Sequence, residues 1–338
     1  MIIVMRKSAT EDQTKAVIEE IEDKGLKPMP LYGTERTVIA VIGDERILDR
    51  HHVASKPGVS DVMLVLPPYK LVARETKHED TVIKVRDGIE IGGKKLQIMA
   101  GPCAVENYEF TSQAAKAVKK SGAKILRGGA FKPRTGPYSF QGLGEEGLKI
   151  LKKVGEEEDM AIVTEVLNTR DLPLVAEYAD ILQVGARNMQ NFNLLEELGK
   201  INKPVLLKRG LSAKIKEWLL AAEYIMSNGN PNVILCERGI RTFETEIRST
   251  LALQSVPLIK ELSHLPIIVD PSHAAGKPTI IPAMSKAAIA CGADGLIVEV
   301  HPKPDEALCD GQQALTPEMF KNMMDELMPV AKAVGKDL

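Results

Sequence analysis

The most constraining feature of the sequence is an apolar run followed by a helix-like segment, repeated eight times. The runs fall at residues 96–100, 124–126, 161–165, 181–184, 205–208, 233–237, 267–270 and 296–300. Between two of them, Trp218, Leu219, Ala222 and Met226 recur at helical spacing. Eight such units in about 240 residues predict an α/β fold, a (β/α)8 TIM barrel. The main alternative is an open doubly wound sheet, but no GxGxxG sequence follows the first run.

Cationic side chains collect where the predicted strands end, which is where barrel enzymes place their chemistry. They are Arg127, Lys132, Arg134, Arg187, Lys208 and Arg238. The simplest explanation is pairing with Glu165 or Glu237, which would account for one or two of them. Six cations around one cavity would repel each other unless anions fill it. We therefore predict a ligand with several negative charges, such as one or two phosphates and a carboxylate, which arginine binds through paired hydrogen bonds.

A second group of strand-end residues offers donor atoms for a metal ion. It consists of Cys103, His273, Glu299 and Asp310. A buried cysteine is usually a small hydrophobe, but a carboxylate in an apolar strand, such as Glu299, needs a partner. The first, seventh and eighth strands are neighbours in a closed barrel, so one sulfur, one nitrogen and two oxygen ligands can meet around Zn, Fe, Mn or Co. His301 and Cys309 are close enough in sequence to compete for this assignment.

Composition limits the classes of partner. The formal net charge is −2, so no broad field attracts nucleic acid or an anionic membrane. No apolar run approaches the roughly 20 residues of a membrane helix, and the first residues are too strand-like for a signal peptide. Four widely spaced cysteines without a CxxC pattern are expected in a reducing cytoplasm.

The first 66 residues are predicted to form a separate unit, followed by a linker at 67–80 and the barrel at 81–338. Strands are predicted at 2–5, 37–42 and 62–66, and helices at 11–24 and 45–52. This order favours a small ferredoxin-like α+β domain, which contains one more strand than the pattern reveals. Pro67-Pro68 breaks the chain, and a hairpin with the turn Asp87-Gly88 precedes the first barrel strand.

Eight short stretches of the barrel sequence together resemble the 3-deoxy-D-arabino-heptulosonate 7-phosphate (DAHP) synthases of type I beta. The resemblance lies in Gly101-Pro102-Cys103-Ala104-Val105-Glu106, Leu126-Arg127-Gly128-Gly129-Ala130, Lys132-Pro133-Arg134-Thr135, Gln183-Val184-Gly185-Ala186-Arg187-Asn188, Leu207-Lys208-Arg209-Gly210, Cys236-Glu237-Arg238-Gly239, Asp270-Pro271-Ser272-His273 and Val298-Glu299-Val300-His301. The related 3-deoxy-D-manno-octulosonate 8-phosphate synthases typically carry Lys-Ala-Asn-Arg in place of Lys132-Pro133-Arg134-Thr135. Gly136 is a minor departure from the motif, which usually continues with Ser or Thr.

The resemblance implies condensation of phosphoenolpyruvate with erythrose 4-phosphate, the first step of the shikimate pathway to aromatic amino acids. It assigns phosphoenolpyruvate to Arg127, Lys132, Arg187, Lys208 and Arg238, the sugar phosphate to Arg134 and Thr135, and further substrate contacts to Ala186 and Asp270. It assigns one divalent ion, Mn, Fe, Co, Zn or Cd, to Cys103, His273, Glu299 and Asp310. Cys103 and His273 thereby count as catalytic, with Lys132 as proton donor and Glu165 as the residue that orients water.

Other interpretations stay open at this stage. Octulosonate phosphate synthesis is one, and a Schiff-base aldolase using Lys208 is another, because neighbouring cations lower the pKa of a lysine. A sensor without turnover is a third. The N-terminal unit is either an oligomerisation or stability module or, as the resemblance implies, a feedback domain for tyrosine or phenylalanine in a cytoplasmic homo-oligomer, expected to be a tetramer. Cys103 and Cys309 share one rim, so we predict a disulfide between them in metal-free protein.

Overall fold

The structure is a computed structural model that describes residues 1–33, 36–44, 47–63, 68–134 and 136–338. The chain divides into two compact units. The first comprises Met1–Asp80 and Glu261–His264, and the second comprises Thr81–Lys260 and Leu265–Leu338. Within the described residues, no helix combines the length and the apolar character needed to cross a lipid bilayer.

The first unit is built around a four-stranded antiparallel sheet. Its elements are β1 (Ile2–Met5), α1 (Glu11–Asp23), β2 (Lys27–Tyr32), β3 (Thr37–Ile42), α2 (Arg50–Ala54) and β4 (Val59–Met63). The sheet order is β2-β3-β1-β4, which confirms the predicted ferredoxin-like fold. Helix α1 begins at a capping box between Thr10 and Gln13 and ends before Gly25, whose φ of +72° suits glycine.

The unrecognised strand of this unit is β2. Pro28 and Pro30 argue against a strand because proline cannot donate to a ladder. Within the described residues, however, β2 is an edge strand that pairs only with β3. Helix α2 begins later than the predicted helix, part of which, Glu45 and Arg46, lies outside the described residues. The predicted strand at 62–66 begins earlier, at Val59, and its last three residues also lie outside the described ones.

The second unit is a closed barrel of eight parallel strands, as predicted. A hairpin of β5 (Ile83–Arg86) and β6 (Ile89–Ile91) precedes it. The barrel strands are β7 (Gln97–Gly101), β8 (Ile125–Arg127), β9 (Ala161–Glu165), β10 (Ile181–Val184), β11 (Val205–Lys208), β12 (Val233–Glu237), β13 (Ile267–Val269) and β14 (Gly295–Glu299). The helices are α3 (Tyr108–Lys120), α4 (Glu145–Glu157), α5 (Leu172–Tyr178), α6 (Phe192–Gly199), α7 (Ile215–Ser227), α8 (Ser255–Leu262), α9 (Pro271–Ala275), α10 (Ile281–Ala290) and α11 (Pro317–Ala333). Strand β14 pairs with β7, which closes the barrel and excludes the open doubly wound sheet.

The amino-terminal end of the barrel is closed by apolar packing. Ile83, Ile89 and Ile91 of the hairpin join one cluster with residues from the starts of the strands, such as Ile125 and Ile181. We call this the closed end, and the end where the strands finish the open end. Burying these isoleucine side chains stabilises the barrel by about 2 kcal/mol each.

Helix α7 packs against the strand that carries Lys208. Trp218, the single tryptophan of the chain, is fully buried there, and its Nε1 donates to the carbonyl of Leu207 at 3.1 Å. The indole thereby combines a large apolar contact with a satisfied polar atom. This packing fixes the outer side of β11 just before the strand enters the open end.

Candidate active site

The carboxyl ends of the barrel strands surround a cavity of about 320 Å³. All six predicted cations line it: Arg127, Lys132, Arg134, Arg187, Lys208 and Arg238. Glu165 and Ala186 line it as well, whereas Thr135 lies outside the described residues. Asp270 is 1% exposed, lies behind Lys208 and His273, and is not among the described residues of the lining.

Two of the cations are paired with buried carboxylates. Lys208 Nζ lies 2.6 Å from Asp270 Oδ2, and Arg127 Nη1 lies 3.1 Å from Glu299 Oε1. Neither contact involves Glu237, one of the partners considered from the sequence. Because successive strand residues point to opposite faces, Glu237 turns away from the cavity and contacts Arg209 at 2.8 Å.

The cavity retains an excess of positive charge. Arg238 donates to two uncharged groups, Ser249 Oγ at 3.5 Å and the carbonyl of His273 at 3.3 Å. Burial lowers the pKa of Arg238, and the nearby guanidinium groups of Arg248 and Arg187 lower it further, against the effect of Asp270. Cations that disfavour each other's charge in this way indicate a site suited to anions.

The four predicted metal donors lie together at the rim of the cavity. Their ligand atoms, from Cys103, His273, Glu299 and Asp310, are all within 4.8 Å of one another. His273 Nε2 is 3.3 Å from Glu299 Oε1 and 4.0 Å from Asp310 Oδ2, and Cys103 Sγ is 3.6 Å from Asp310 Oδ2. One sulfur, one imidazole nitrogen and two carboxylate oxygens are a donor set that suits a divalent transition metal.

Neighbouring groups orient His273 and set the charge of Asp310. His273 Nδ1 lies 2.8 Å from Asp270 Oδ2, which leaves Nε2 facing the other donors. Asp270 also caps α9, because its Oδ1 accepts from the His273 backbone N–H at 2.9 Å. Burial raises the pKa of Asp310, but Arg248 and His273 lower it to about 2, so this carboxylate is ionised at neutral pH.

Lys132 bends back onto the metal donors. Its Nζ lies 3.0 Å from the carbonyl of Cys103 and 3.1 Å from Cys103 Sγ. Gly129 makes room for this, since a Cβ there would lie 2.8 Å from Lys132 Cδ. Burial lowers the pKa of Lys132, but the Cys103 and Cys309 sulfurs outweigh it and the net pKa is raised, so Lys132 is an ammonium.

Glu165 lies at the end of β9, the strand that pairs with β8, which precedes the Lys132 loop. Gln183 Nε2 donates to Glu165 Oε2 at 3.3 Å. A Cβ at Gly185 would overlap Glu165 Oε1, so the glycine leaves the space that this carboxylate fills. The Gln183 amide therefore holds the carboxylate at the cavity wall, in the space that Gly185 leaves free.

The two residues that competed for the metal assignment have separate places. Cys309 Sγ lies 3.4 Å from Cys103 Sγ and accepts from Arg134 Nη1. The hydrogen bond from Cys103 lowers the pKa of Cys309 to about 7, although burial opposes it. His301 is buried away from the four donors, with its Nδ1 accepting from the Lys303 backbone N–H at 3.1 Å.

Two polar residues at this site, Arg248 and Gln313, were not singled out from the sequence. Arg248 lines the cavity and contacts Asp310, while Gln313 contacts Glu299 from behind. Arg248 follows no strand directly, and Gln313 lies in the 3₁₀ turn Gly311–Gln313. The only signal available for Gln313 was its position three residues after Asp310.

Comparison with known proteins assigns the family. The model of the DAHP synthetase I family matches residues 77–333, and that of the DAHP synthase ferredoxin-like domain matches residues 1–67. The chain belongs to the DAHP synthetase I family. A phospho-2-dehydro-3-deoxyheptonate aldolase from Thermotoga maritima is 51% identical over 99% of both chains.

Structural and more distant relatives agree with this family. The crystal structure of a DAHP synthase from Thermotoga maritima superposes with a TM-score of 0.79 and 50% identity, covering 99% of this chain and 98% of that one. A 2-dehydro-3-deoxyphosphooctonate aldolase from Koribacter versatilis is 30% identical and covers 74% of this chain and 96% of its own. The DAHP synthase similarity therefore includes the ferredoxin-like unit as well as the barrel.

Proposed function

We propose that the protein condenses phosphoenolpyruvate with erythrose 4-phosphate to DAHP and inorganic phosphate. The observation that carries the proposal is one cavity in which the six predicted cations surround the space beside four metal donors. Two polyanionic substrates repel each other, and the cations offset that repulsion while holding the reacting carbons together. The full-length similarity to DAHP synthases supports the same reaction.

The test is phosphate release from phosphoenolpyruvate with either erythrose 4-phosphate or arabinose 5-phosphate, with and without a chelator. We expect release with erythrose 4-phosphate that the chelator abolishes and added divalent metal restores. Release with arabinose 5-phosphate but not with erythrose 4-phosphate would instead identify an octulosonate phosphate synthase. This is the second candidate, which the 30% identical relatives favour.

We divide the proposed substrate-binding residues into two groups. We assign phosphoenolpyruvate to Arg127, Lys132, Ala186, Arg187, Lys208 and Arg238. Arg134 and Thr135 are assigned to the sugar phosphate. Asp270 contributes indirectly: it neutralises part of the charge of Lys208 and orients His273.

Cys103, His273, Glu299 and Asp310 would hold one divalent ion, whose identity among Mn, Fe, Co, Zn and Cd the donor set leaves open. When bound there, such an ion polarises the aldehyde oxygen of the sugar phosphate. The Lys132 ammonium, which is next to Cys103, donates a proton to the oxygen that becomes an alkoxide. Glu165 orients the water that attacks the carbon carrying the phosphate.

The Schiff-base alternative requires a neutral Lys208. Lys208 Nζ instead forms an ion pair with the buried carboxylate of Asp270, at 2.6 Å. Borohydride trapping in the presence of the aldehyde substrate distinguishes the two reactions. An adduct on Lys208 would support the aldolase, and chelator-sensitive turnover without an adduct would support the condensation.

For the ferredoxin-like unit we propose regulation by an aromatic amino acid, tyrosine or phenylalanine, in a tetramer. The match to the family's ferredoxin-like domain supports this role. Removing residues 1–66 should leave the condensation intact and abolish inhibition by the amino acid. Inhibition that persists in the truncated protein would contradict the proposal, and light scattering of the intact protein measures the subunit number.

A further inference from the structure

Arg248 and Gln313 connect two of the metal donors, Asp310 and Glu299, to each other. Arg248 Nη1 lies 3.1 Å from Asp310 Oδ2 and 2.6 Å from Gln313 Oε1. Gln313 Nε2 in turn donates to Glu299 Oε2 at 2.5 Å. The result is a continuous chain from Asp310 through Arg248 and Gln313 to Glu299, which we call the carboxylate bridge.

The chemistry of the bridge permits one orientation of the Gln313 amide. A guanidinium group has only donors and an ionised carboxylate has only acceptors. The amide oxygen therefore faces Arg248, and the amide nitrogen faces Glu299. Gln313 is fully buried and Glu299 is nearly so, so water does not readily replace this hydrogen bond.

The backbone on both sides of the bridge is held in place. Gln313 N donates to the carbonyl of Asp310 at 3.1 Å, and Ser249 N donates to the carbonyl of Ala274 at 2.8 Å. The second bond ties the segment of Arg248 to the helix of His273. Gly276 permits this approach, because its φ is +66° and a Cβ there would lie 2.7 Å from Arg248 Cβ.

Resting on the metal site proposed above, we propose that Arg248 and Gln313 are positioning residues that hold Glu299 and Asp310 at the separation a divalent ion requires. Two carboxylates brought together repel each other before a cation arrives. The bridge places a guanidinium group beside one and an amide donor beside the other, so the pair is assembled in advance. Preorganised donors of this kind bind metal more tightly than donors that must be gathered.

The test is the affinity of the metal-stripped, full-length protein for Co²⁺, measured by competition with a chelating dye. Arg248→Met and Gln313→Leu should each weaken Co²⁺ binding about 10- to 100-fold. Arg241→Met and Gln312→Leu are matched controls, because both residues are exposed and lie close in sequence to the residues tested. The controls should bind Co²⁺ like the parent protein. At saturating Co²⁺, the Gln313→Leu variant should keep the parent KM for both substrates, because Gln313 is not among the described residues that line the cavity.

The double variant tests whether the two residues act as one bridge. Because each substitution breaks the same chain, Arg248→Met with Gln313→Leu should lose less than the product of the single losses. Full additivity, or Co²⁺ affinities equal to those of the controls, would overturn the proposal. So would a raised KM in Arg248→Met with unchanged Co²⁺ affinity, because Arg248 would then be a substrate-binding residue.

Two further readouts keep the conclusions separate. Arg248 is partly exposed, so Arg248→Met is expected to fold even where Gln313→Leu does not, and thermal unfolding checks both. If the parent protein itself fails to bind Co²⁺ with one ion per chain, the metal site fails and the bridge fails with it. If the parent binds and the variants do so equally well, the bridge alone is overturned.

Discussion

The two ends of the barrel use the same charged residue types in opposite ways. At the closed end, Asp294 Oδ1 is 2.9 Å from Lys336 Nζ and Oδ2 is 2.9 Å from Lys260 Nζ. Its Oδ2 also accepts from the Ile267 backbone N–H at 2.9 Å. At the open end, seven cations of the described lining face two carboxylates, Glu165 and Asp310.

The difference separates stability from function. A buried carboxylate that is surrounded by donors, such as Asp294, is satisfied within the chain, and breaking the pair leaves buried charge behind. Cations in excess of the carboxylates, such as Arg187 and Arg238, require a ligand to be satisfied. Substitutions at the closed end should therefore alter unfolding, and substitutions at the open end should alter turnover.

The largest expected effect is that of Lys132→Met at the open end. Loss of the ammonium removes both a substrate contact and the proposed proton donor, so kcat/KM should fall about 10³-fold. The unfolding midpoint should not fall, because one of several mutually repelling cations is removed. Steady-state kinetics and thermal melting measure the two quantities, with the exposed Lys149→Met as the matched control. A kcat/KM within about tenfold of the parent would exclude the role proposed for Lys132.

The second effect is that of Asp294→Asn at the closed end. Two partly buried ammonium groups would lose their shared carboxylate, which should cost about 3 kcal/mol of unfolding free energy. Urea titration measures this loss, and turnover of the folded fraction should match the parent. Asp325→Asn, which breaks an exposed pair with Lys321, should change stability by less than about 0.5 kcal/mol. Equal losses in both variants would show that the closed-end cluster adds nothing specific.

A smaller effect should follow from Gly185→Ala. The backbone φ of −68° at this position accepts alanine, so the added methyl group acts by displacing the Glu165 carboxylate. We expect kcat to fall about 10- to 100-fold with unchanged stability. Combined with Glu165→Gln, Gly185→Ala should add little further loss. Independent losses in the double variant would show that the methyl group acts through something other than Glu165.

The smallest change should be a chemical one at the open-end rim. After chelation and mild air oxidation, we expect a disulfide between Cys103 and Cys309, whose sulfurs are 3.4 Å apart, while oxygen accepts the two hydrogens. Cys236 is fully buried in the barrel core, where burial raises its pKa, and should remain a free thiol. Non-reducing peptide mass spectrometry detects the link, and metal-saturated protein is the control. Free thiols at both positions would contradict the prediction.

Barrel strands were the most predictable part of the structure. Strands β9, β10, β11 and β12 have the bounds expected from the sequence, because each is a short apolar run that ends in a polar or glycine-containing segment. The site cations and metal donors could be found for the same reason, since each lies at the end of such a run or in the loop that follows it. Strand β2 was unrecognised because its prolines conceal an edge strand.

The carboxylate bridge was beyond sequence reasoning. Arg248 lies in a segment without regular structure, and Gln313 follows Asp310 by a turn in which Asp310 itself has a left-handed φ of +52°. Neither position has a periodicity that points to a strand end. Their contacts depend on how separate loops pack together, which hydrophobic pattern does not encode.

The position of Trp218 has a practical consequence for spectroscopy. With one indole in the whole chain, tryptophan emission comes from a single place, directly outside the strand that leads to Lys208. Its wavelength should report exposure of the barrel wall alone, so barrel melting can be followed optically while the ferredoxin-like unit contributes no tryptophan signal.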